Sequence, residues 1–518
     1  MPVQDCFRFV RRRFPYRRIR QALLPALLLP LIAGLIGAPP VPRATATDDN
    51  RAPPQVAAFV RDGDLWAAEG GRERLLVRHG GVRTPRWSPD GRWIAYATRG
   101  PDHQIWARHA ASGRSAKLCS GCTAFAWAHR RSAVAYNVGG TLYAVELGDD
   151  GSVGAATTVR ADVGQFAWMP DDGGLIVGSI PAASGNAWQP LRLSLAHVGE
   201  DGSVRERPFF VLPGKSDELF AAALGPFRWS PDGRWIAFLA KPTASLSMDG
   251  NALCLLSADG GRFLNVGRML ARDDWYAWAP ERNRIGWIEG EGRFEISGKR
   301  FEVRDAFAPT ALPLTPTGEM DLDFAWVGDG RAIVARALEL AWDGGSVPTA
   351  ASTSLYAVDV GDPLRVERLT TAPEGAADRD PVYVAALRRI AWVRTDHERE
   401  QSDAWTAKLD GSDAAVAIKR VDEPPAWYDP APTTVLASPI VAPGHAEWGR
   451  LAMKEVAYRY KADIVDYAYL GKTTISPSVA EQTFRMRLKE ERREFGVVVS
   501  IRYREESNEV LRIDVQET

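Results

Sequence analysis

The sequence predicts a mainly β chain: a β-propeller of eight blades, followed by a small α+β domain of one helix on a four-stranded antiparallel sheet. Three observations predict it. A ten-residue word, RWSPDGRWIA, stands at Arg86–Ala95 and again at Arg228–Ala237. Looser copies of the word recur along the chain around a fixed aromatic position. Beyond a Pro- and Ala-rich stretch near residue 430 the pattern changes to one helical segment and then alternating strands.

The word explains the repeat. In Ser88-Pro89-Asp90-Gly91 each residue stands where a type I turn favours it, with Pro fixing φ at the second position and Gly relieving the fourth. β-rich residues flank this turn, so the word reads as strand, tight turn, strand. The residue before the turn is the anchor, Trp87 in one copy and Trp229 in the other. Looser copies put Trp127, Trp168, Trp278, Trp326, Tyr383 and Trp427 at the same point. Successive anchors lie 40 to 61 residues apart. Each unit runs on through strands such as QIWARHA or TLYAVEL, and four short strands per unit of this length is the signature of propeller blades. Val56–Val77 supplies three strands without an anchor, and Glu423–Pro432 supplies an anchor strand without the other three. Joining them completes a blade from the two ends of the repeat region and leaves the ring no free inner edge. The long step from Trp168 to Trp229 has room for an insertion, so seven blades is the alternative count. Recurrence at one repeat position predicts that the anchors pack between blades rather than form a ligand platform.

The repeat W-S-P-D-G-R-x-I-A-[YF] resembles the WD40-like propeller repeat of the TolB-like family and of dipeptidyl-peptidase-IV and prolyl-oligopeptidase relatives. The resemblance spans about Val56 to Pro432 and implies a propeller fold. The peptidase relatives add an α/β-hydrolase domain with a G-x-S-x-G nucleophile elbow. No such motif stands in the residues after the repeats, so serine peptidase activity is not expected.

The expected organisation is a signal peptide at 1–46, the propeller at 47–429, a linker at 430–443 and the small domain at 444–518. The first 46 residues hold eight Arg and one acid, Asp5, and an apolar run from Ala22 to Gly37 precedes Ala44-Thr45-Ala46. Basic region, apolar core and small-x-small site together read as a secretory signal, and the apolar run is short of the ~20 residues a span needs. An uncleaved anchor is the alternative. The formal net charge of −1 is set by this segment, and the remainder is acidic. A nucleic-acid partner is therefore not expected. Membrane contact is expected through the signal segment only, and the location is extracytoplasmic.

In the small domain, Trp448, Leu451, Ala452, Val456 and Tyr460 share one helical face. Phe484, Met486 and Leu488 then alternate with Arg485, Arg487 and Lys489. W-G-x-L-A-x-K at Trp448–Lys454, A-D-I-V-D-Y at Ala462–Tyr467 and R-E-F-G-V at Arg493–Val497 resemble a small secreted Bacillus-type domain with no assigned activity (the YqzG/YhdC type). That resemblance implies a Gram-positive-type envelope setting and gives no chemistry.

No residue stands out as catalytic, cofactor-binding or metal-binding, and no cofactor is expected. The seven His show no H-x-x-x-H or H-E-x-x-H spacing. The pairs Asp171-Asp172 and Asp273-Asp274 sit at turns, where Asp is favoured for local hydrogen bonds. Cys119 and Cys122 form a C-x-x-C pair and a candidate disulfide in an oxidising compartment. The expected function is a non-catalytic propeller that binds or scaffolds an envelope protein or wall polymer. The alternatives are a propeller enzyme with a metal or acid site in its central channel, and an anchored extracytoplasmic sensor.

Overall fold

The computed structural model describes residues 56–518, apart from 101, 182, 185–186, 200, 217–218, 307, 342–350, 431–444, 461, 491–492 and 506–507. The expected signal segment and nearly all of the expected linker thus lie outside the described residues. No helix among the described residues is long and apolar enough to cross a membrane.

Among the described residues the propeller has eight antiparallel blades. Their innermost strands are Val82–Trp87, Cys122–Trp127, Val163–Trp168, Arg228–Trp229, Tyr276–Trp278, Glu319–Trp326, Ala376–Val384 and Ala426–Trp427. Each carries its anchor at or next to its end. Blade one closes the ring: Ala426–Trp427 pairs with Val56–Arg61, which arrives from the other end of the chain. Among its described residues the Trp168–Trp229 interval holds a short hairpin, Ala183–Ser184 with Ala187–Trp188, and no further blade. In blade five the inner strand is split, Ala223–Leu224 and Arg228–Trp229 both pairing with Trp235–Lys241. Pro226, which has no N–H to give a ladder, sits in the break.

The core lies between blades. Ala58, Val60, Val82 and Ile94 form one cluster across blades one and two. Ala57, Phe59, Val393 and Ala404 form another across blades one and eight. Four short strands are too thin to bury both faces alone, so each blade needs its neighbours.

Hydrogen bonds repeat at these seams. The indole N–H of Trp87 donates to the Ala426 carbonyl at 3.0 Å, and that of Trp127 to the Arg86 carbonyl at 3.1 Å. Trp168, Trp278 and Trp326 donate likewise to Ala126, Arg228 and Ala277. In every case the acceptor is the residue just before the preceding blade's anchor. Trp229 differs: its buried indole nitrogen has no hydrogen-bond partner among the described residues. The word's turn is also tied across a seam. Ser88 Oγ donates to Asp90 within the turn, and Ser132 of the next blade donates to the other Asp90 oxygen at 2.9 Å. In the second copy Asn283 of the next blade reaches Asp232 at 2.7 Å. Gly91 has φ +69°, and a Cβ there would run into the Tyr428 ring.

Two buried ion pairs occupy equivalent places in blades seven and eight. Arg336 forks onto Asp321 at 2.7 and 2.8 Å, and Arg394 onto Asp378 at 2.6 and 2.7 Å. Thr315 and Thr370, each from the preceding blade, donate to those carboxylates. Both Asp residues are fully buried.

The small domain has helix Ala446–Tyr460 and strands Asp463–Ser476, Val479–Glu490, Arg493–Arg504 and Val510–Glu517. Its first strand pairs with the outer strand of blade five, Arg262–Met269, through Arg262 with Ala468, Phe263 with Tyr467 and Leu264 with Asp466. One nine-stranded sheet results. Trp448, Ala452, Met453 and Val456 share a core with Leu193 and Phe210 of blade four and Phe238 and Phe263 of blade five. Tyr467 stands 6.4 Å from the Phe210 ring and donates its O–H to Gly260 at 3.0 Å. An outer strand otherwise open to association is thus paired within the chain.

Two outcomes are predicted. Trp127→Phe should cost about 1 kcal/mol more in urea unfolding than Trp229→Phe, since only the first loses an indole hydrogen bond. Equal costs would remove the seam bond from the account. Arg394→Met should destabilise by about 3–5 kcal/mol, because it strands a buried carboxylate. Adding Asp378→Leu should recover most of that loss, and failure of the double variant to do so would assign the cost to packing.

Candidate functional site

Inner strands face the central channel, so repeat position decides what reaches it. The residues just before the anchors are Arg86, Ala126, Ala167, Arg228, Ala277, Ala325, Val382 and Ala426. Six are small or medium and leave space. The two arginines open the two perfect copies of the word. Arg86, Val382 and Ala426 line a cavity of about 500 Å³, together with the half-buried anchors Trp87, Trp127 and Trp427. Tyr383 lines it as well, whereas Trp168 and Trp326 are buried in their seams and Trp229 and Trp278 are half-buried outside it. Enclosure lowers the Arg86 guanidinium pKa from its ordinary value, Glu423 opposes this, and Arg228 adds to it.

Three or four residues before the anchors the chemistry is different. Asp274, Asp323 and Asp380 come from blades six, seven and eight, and one carboxylate oxygen of each lies within 4.8 Å of the others. Backbone bulges aim two of them: the pairing shifts between Asp321 and Phe324, and again between Arg379 and Val382. Asp380 holds φ +52°, which Asp tolerates better than most residues. Glu423, in the equivalent part of blade one, continues the acidic arc and accepts from the Thr84 N–H. At ~3.3 Å per residue, roughly 7–10 Å along the axis separates the acidic level from the arginine level.

Asp323 is pinned. It accepts from Trp275 Nε1 at 3.0 Å and from Arg379 Nε at 2.5 Å. Arg379 also pairs with Glu295 at 3.0 Å, and Glu295 with Arg272. Burial alone would raise the Glu295 carboxyl, but Arg379 and Arg272 hold it below the ordinary value. The other two carboxylates are pushed upward. Asp274 is open to channel water yet walled by protein, and this enclosure together with Asp323 raises it. Burial, then Asp323 and more distantly Asp274, pushes Asp380 up to about 7, against the pull of Arg379 and Arg272. The arrangement can hold a shared proton or a cationic group at neutral pH.

Asp273 and Asp274 lie in a turn, as expected, and Asp274 also belongs to a cluster assembled from three blades. Asp172 also acts beyond its own turn, accepting from the N–H groups of His129 and Arg130 in the preceding blade. Cys119 and Cys122 are joined in a disulfide between the outer strand of blade two and the inner strand of blade three.

The comparisons fit the ring and the appended domain. A family model described as a protein of unknown function (DUF3889) matches residues 432–517. No curated protein matches the chain. Among solved structures, the dihydro-heme d1 dehydrogenase NirN in complex with DHE is similar at 15% identity, covering 76% of this chain and 78% of that one with a TM-score of 0.50. Puromycin hydrolase is similar at 15% identity and a TM-score of 0.41, covering 82% of this chain. This chain spans only 59% of that hydrolase's length. The β-propeller domain of the Trilobed protease from Pyrococcus furiosus matches at 11% identity and a TM-score of 0.35, over 68% of this chain and 86% of that one. The chain is a β-propeller carrying a small domain of a family of unknown function.

The Asp380 shift makes a stability prediction. Its folded pKa lies above the unfolded value of 3.8, so its contribution is full below pH ~4 and is lost as pH rises through about 7. Asp380→Asn should therefore raise the Tm at pH 8 relative to the parent and leave the Tm near pH 4 little changed. A uniform shift at both pH values would detach Asp380 from the like-charge cluster.

Proposed function

We propose that this protein is an extracytoplasmic, non-catalytic binding propeller that holds an envelope partner through a cationic group seated at the acidic arc of its channel. The charge balance there carries the reading. Among the described residues Asp323 and Glu295 pair with Arg272 and Arg379, Arg228 and Lys299 act on Asp274 and Glu295 from further off, and Asp274 and Asp380 make no ion pair. A metal ion or ligand ammonium supplies the missing charge, and oxygen donors suit hard divalent ions. The basic and apolar N-terminal segment supports export, and the Cys119–Cys122 bond suits an oxidising compartment.

The test is calorimetric titration of purified protein with calcium, magnesium and a short primary alkylamine. Saturable binding of one equivalent, weakened at least about tenfold by Asp323→Asn, supports the reading. No binding of any of the three would sink it. The second reading, an enzyme with an acid site in the channel, is favoured by Asp380 alone, since a carboxyl near pH 7 suits general acid work. Turnover abolished by Asp380→Asn with ligand affinity retained would select it.

A further inference from the structure

A second charged site lies where the small domain meets the ring, and it has the opposite sign. The alternating row of the small domain does not face open water along its whole length. Arg485 and Arg487 line a cavity of about 410 Å³ with Asp466 and Glu494. The sheet joined through Arg262–Met269 brings the propeller to the same place. Arg304, half-buried on the third strand of blade six, has its pKa lowered first by burial, and Arg262 and Arg487 add like-charge crowding. Asp466 alone opposes it among the neighbouring acids.

The balance of this junction is positive. Arg485 and Arg487 share the cavity lining with Asp466, Glu494 and Thr518, and Arg304 stands just outside it within electrostatic reach of Asp466, Arg262 and Arg487. Glu494 is taken by Arg487 at 3.3 Å, and Arg485 has no partner among the described residues. Arg304 spends its Nε on the Ala308 carbonyl at 2.9 Å. Arg262 Nε and Asp466 Oδ1 are both buried without a hydrogen-bond partner among the described residues. Arg262 and Arg304 are the half-buried members of this set, where water and salt screen like charge poorly, and Arg485 and Arg487 open to solvent. Guanidinium forks match the oxygens of a tetrahedral anion in pairs, and a cavity of this volume admits a small phosphorylated molecule.

We propose that the junction between the small domain and blades five and six is a binding site for a phosphate-bearing small molecule. The ligand's phosphate takes the arginines that the protein leaves uncompensated. Because Arg262 and Arg304 belong to the ring and Arg485 and Arg487 to the small domain, a bound phosphate also ties the two together.

The test uses the full chain in low-salt buffer and reads thermal shift and calorimetry with inorganic phosphate, pyrophosphate, glucose 6-phosphate and acetate. Millimolar or tighter binding of at least one phosphate compound is expected, with acetate weaker by tenfold or more. Arg485→Gln with Arg487→Gln should weaken that binding at least about tenfold without lowering the Tm of the free protein by more than a few degrees, since both side chains are exposed. Arg304→Gln, from the propeller side, should weaken it too. Binding unchanged in both variants would overturn the proposal. So would a shift matched by sodium chloride at equal ionic strength, which marks general screening. Glucose 6-phosphate binding tighter than inorganic phosphate identifies an organic phosphate as the ligand, and the reverse order identifies the free ion. Channel variants such as Asp323→Asn should leave this binding intact, which separates its failure from failure of the channel reading.

Discussion

Everything in this molecule depends on the burial of blade faces against other blades. A four-stranded sheet has two apolar faces and no layer of its own to cover them. The neighbour must do it, and the neighbour's neighbour in turn, until the last blade meets the first. Pairing Ala426–Trp427 with Val56–Arg61 is therefore more than a local contact. Without that pairing, the faces around Phe59 and Val393 would meet water together. The seam hydrogen bonds of the anchors and the turn carboxylates act on the same boundary. They fix the rotation of one blade against the next, which apolar packing alone leaves soft.

Much of this was legible in the sequence because it is written once per blade. Trp87 and Trp229 sit in identical words, and the other six anchors sit in recognisable variants, so the ring and its count of eight could be read from spacing. The small domain was legible for the same reason, since Phe484, Met486 and Leu488 alternate without a break. The channel cluster was not. Asp274 stands four residues before its anchor, while Asp323 and Asp380 stand three before theirs, and bulges with no sequence signal bring them level. Arg86 and Arg228 were in plain view, but inside the word they read as ordinary strand residues. The joining of Phe263 to Tyr467 was also out of reach, because nothing in either strand marks which edge it will pair with.

Charge is distributed by level in the channel and by junction outside it. Buried pairs such as Asp378 with Arg394 are closed, with both carboxylate oxygens taken by Arg394, Trp392 and Thr370. They hold one blade against the next and have nothing left to offer a ligand. The channel acids and the junction arginines are open, with more charge of one sign than their surroundings answer. Their opposite signs fit two different ligands rather than two copies of one.

The continuous sheet that runs from the small domain into blade five has a mechanical meaning. Hydrogen-bonded strands in series make a stiff ribbon, and this one reaches from Val510–Glu517 at the periphery to Arg228–Trp229 at the axis. At its inner end the strand is interrupted at Pro226, and the buried Trp229 indole has no hydrogen-bond partner among the described residues. The appended domain is thus a lever fixed to blade five. A load on it arrives beside a channel arginine, Arg228, with the rest of the ring as its fulcrum.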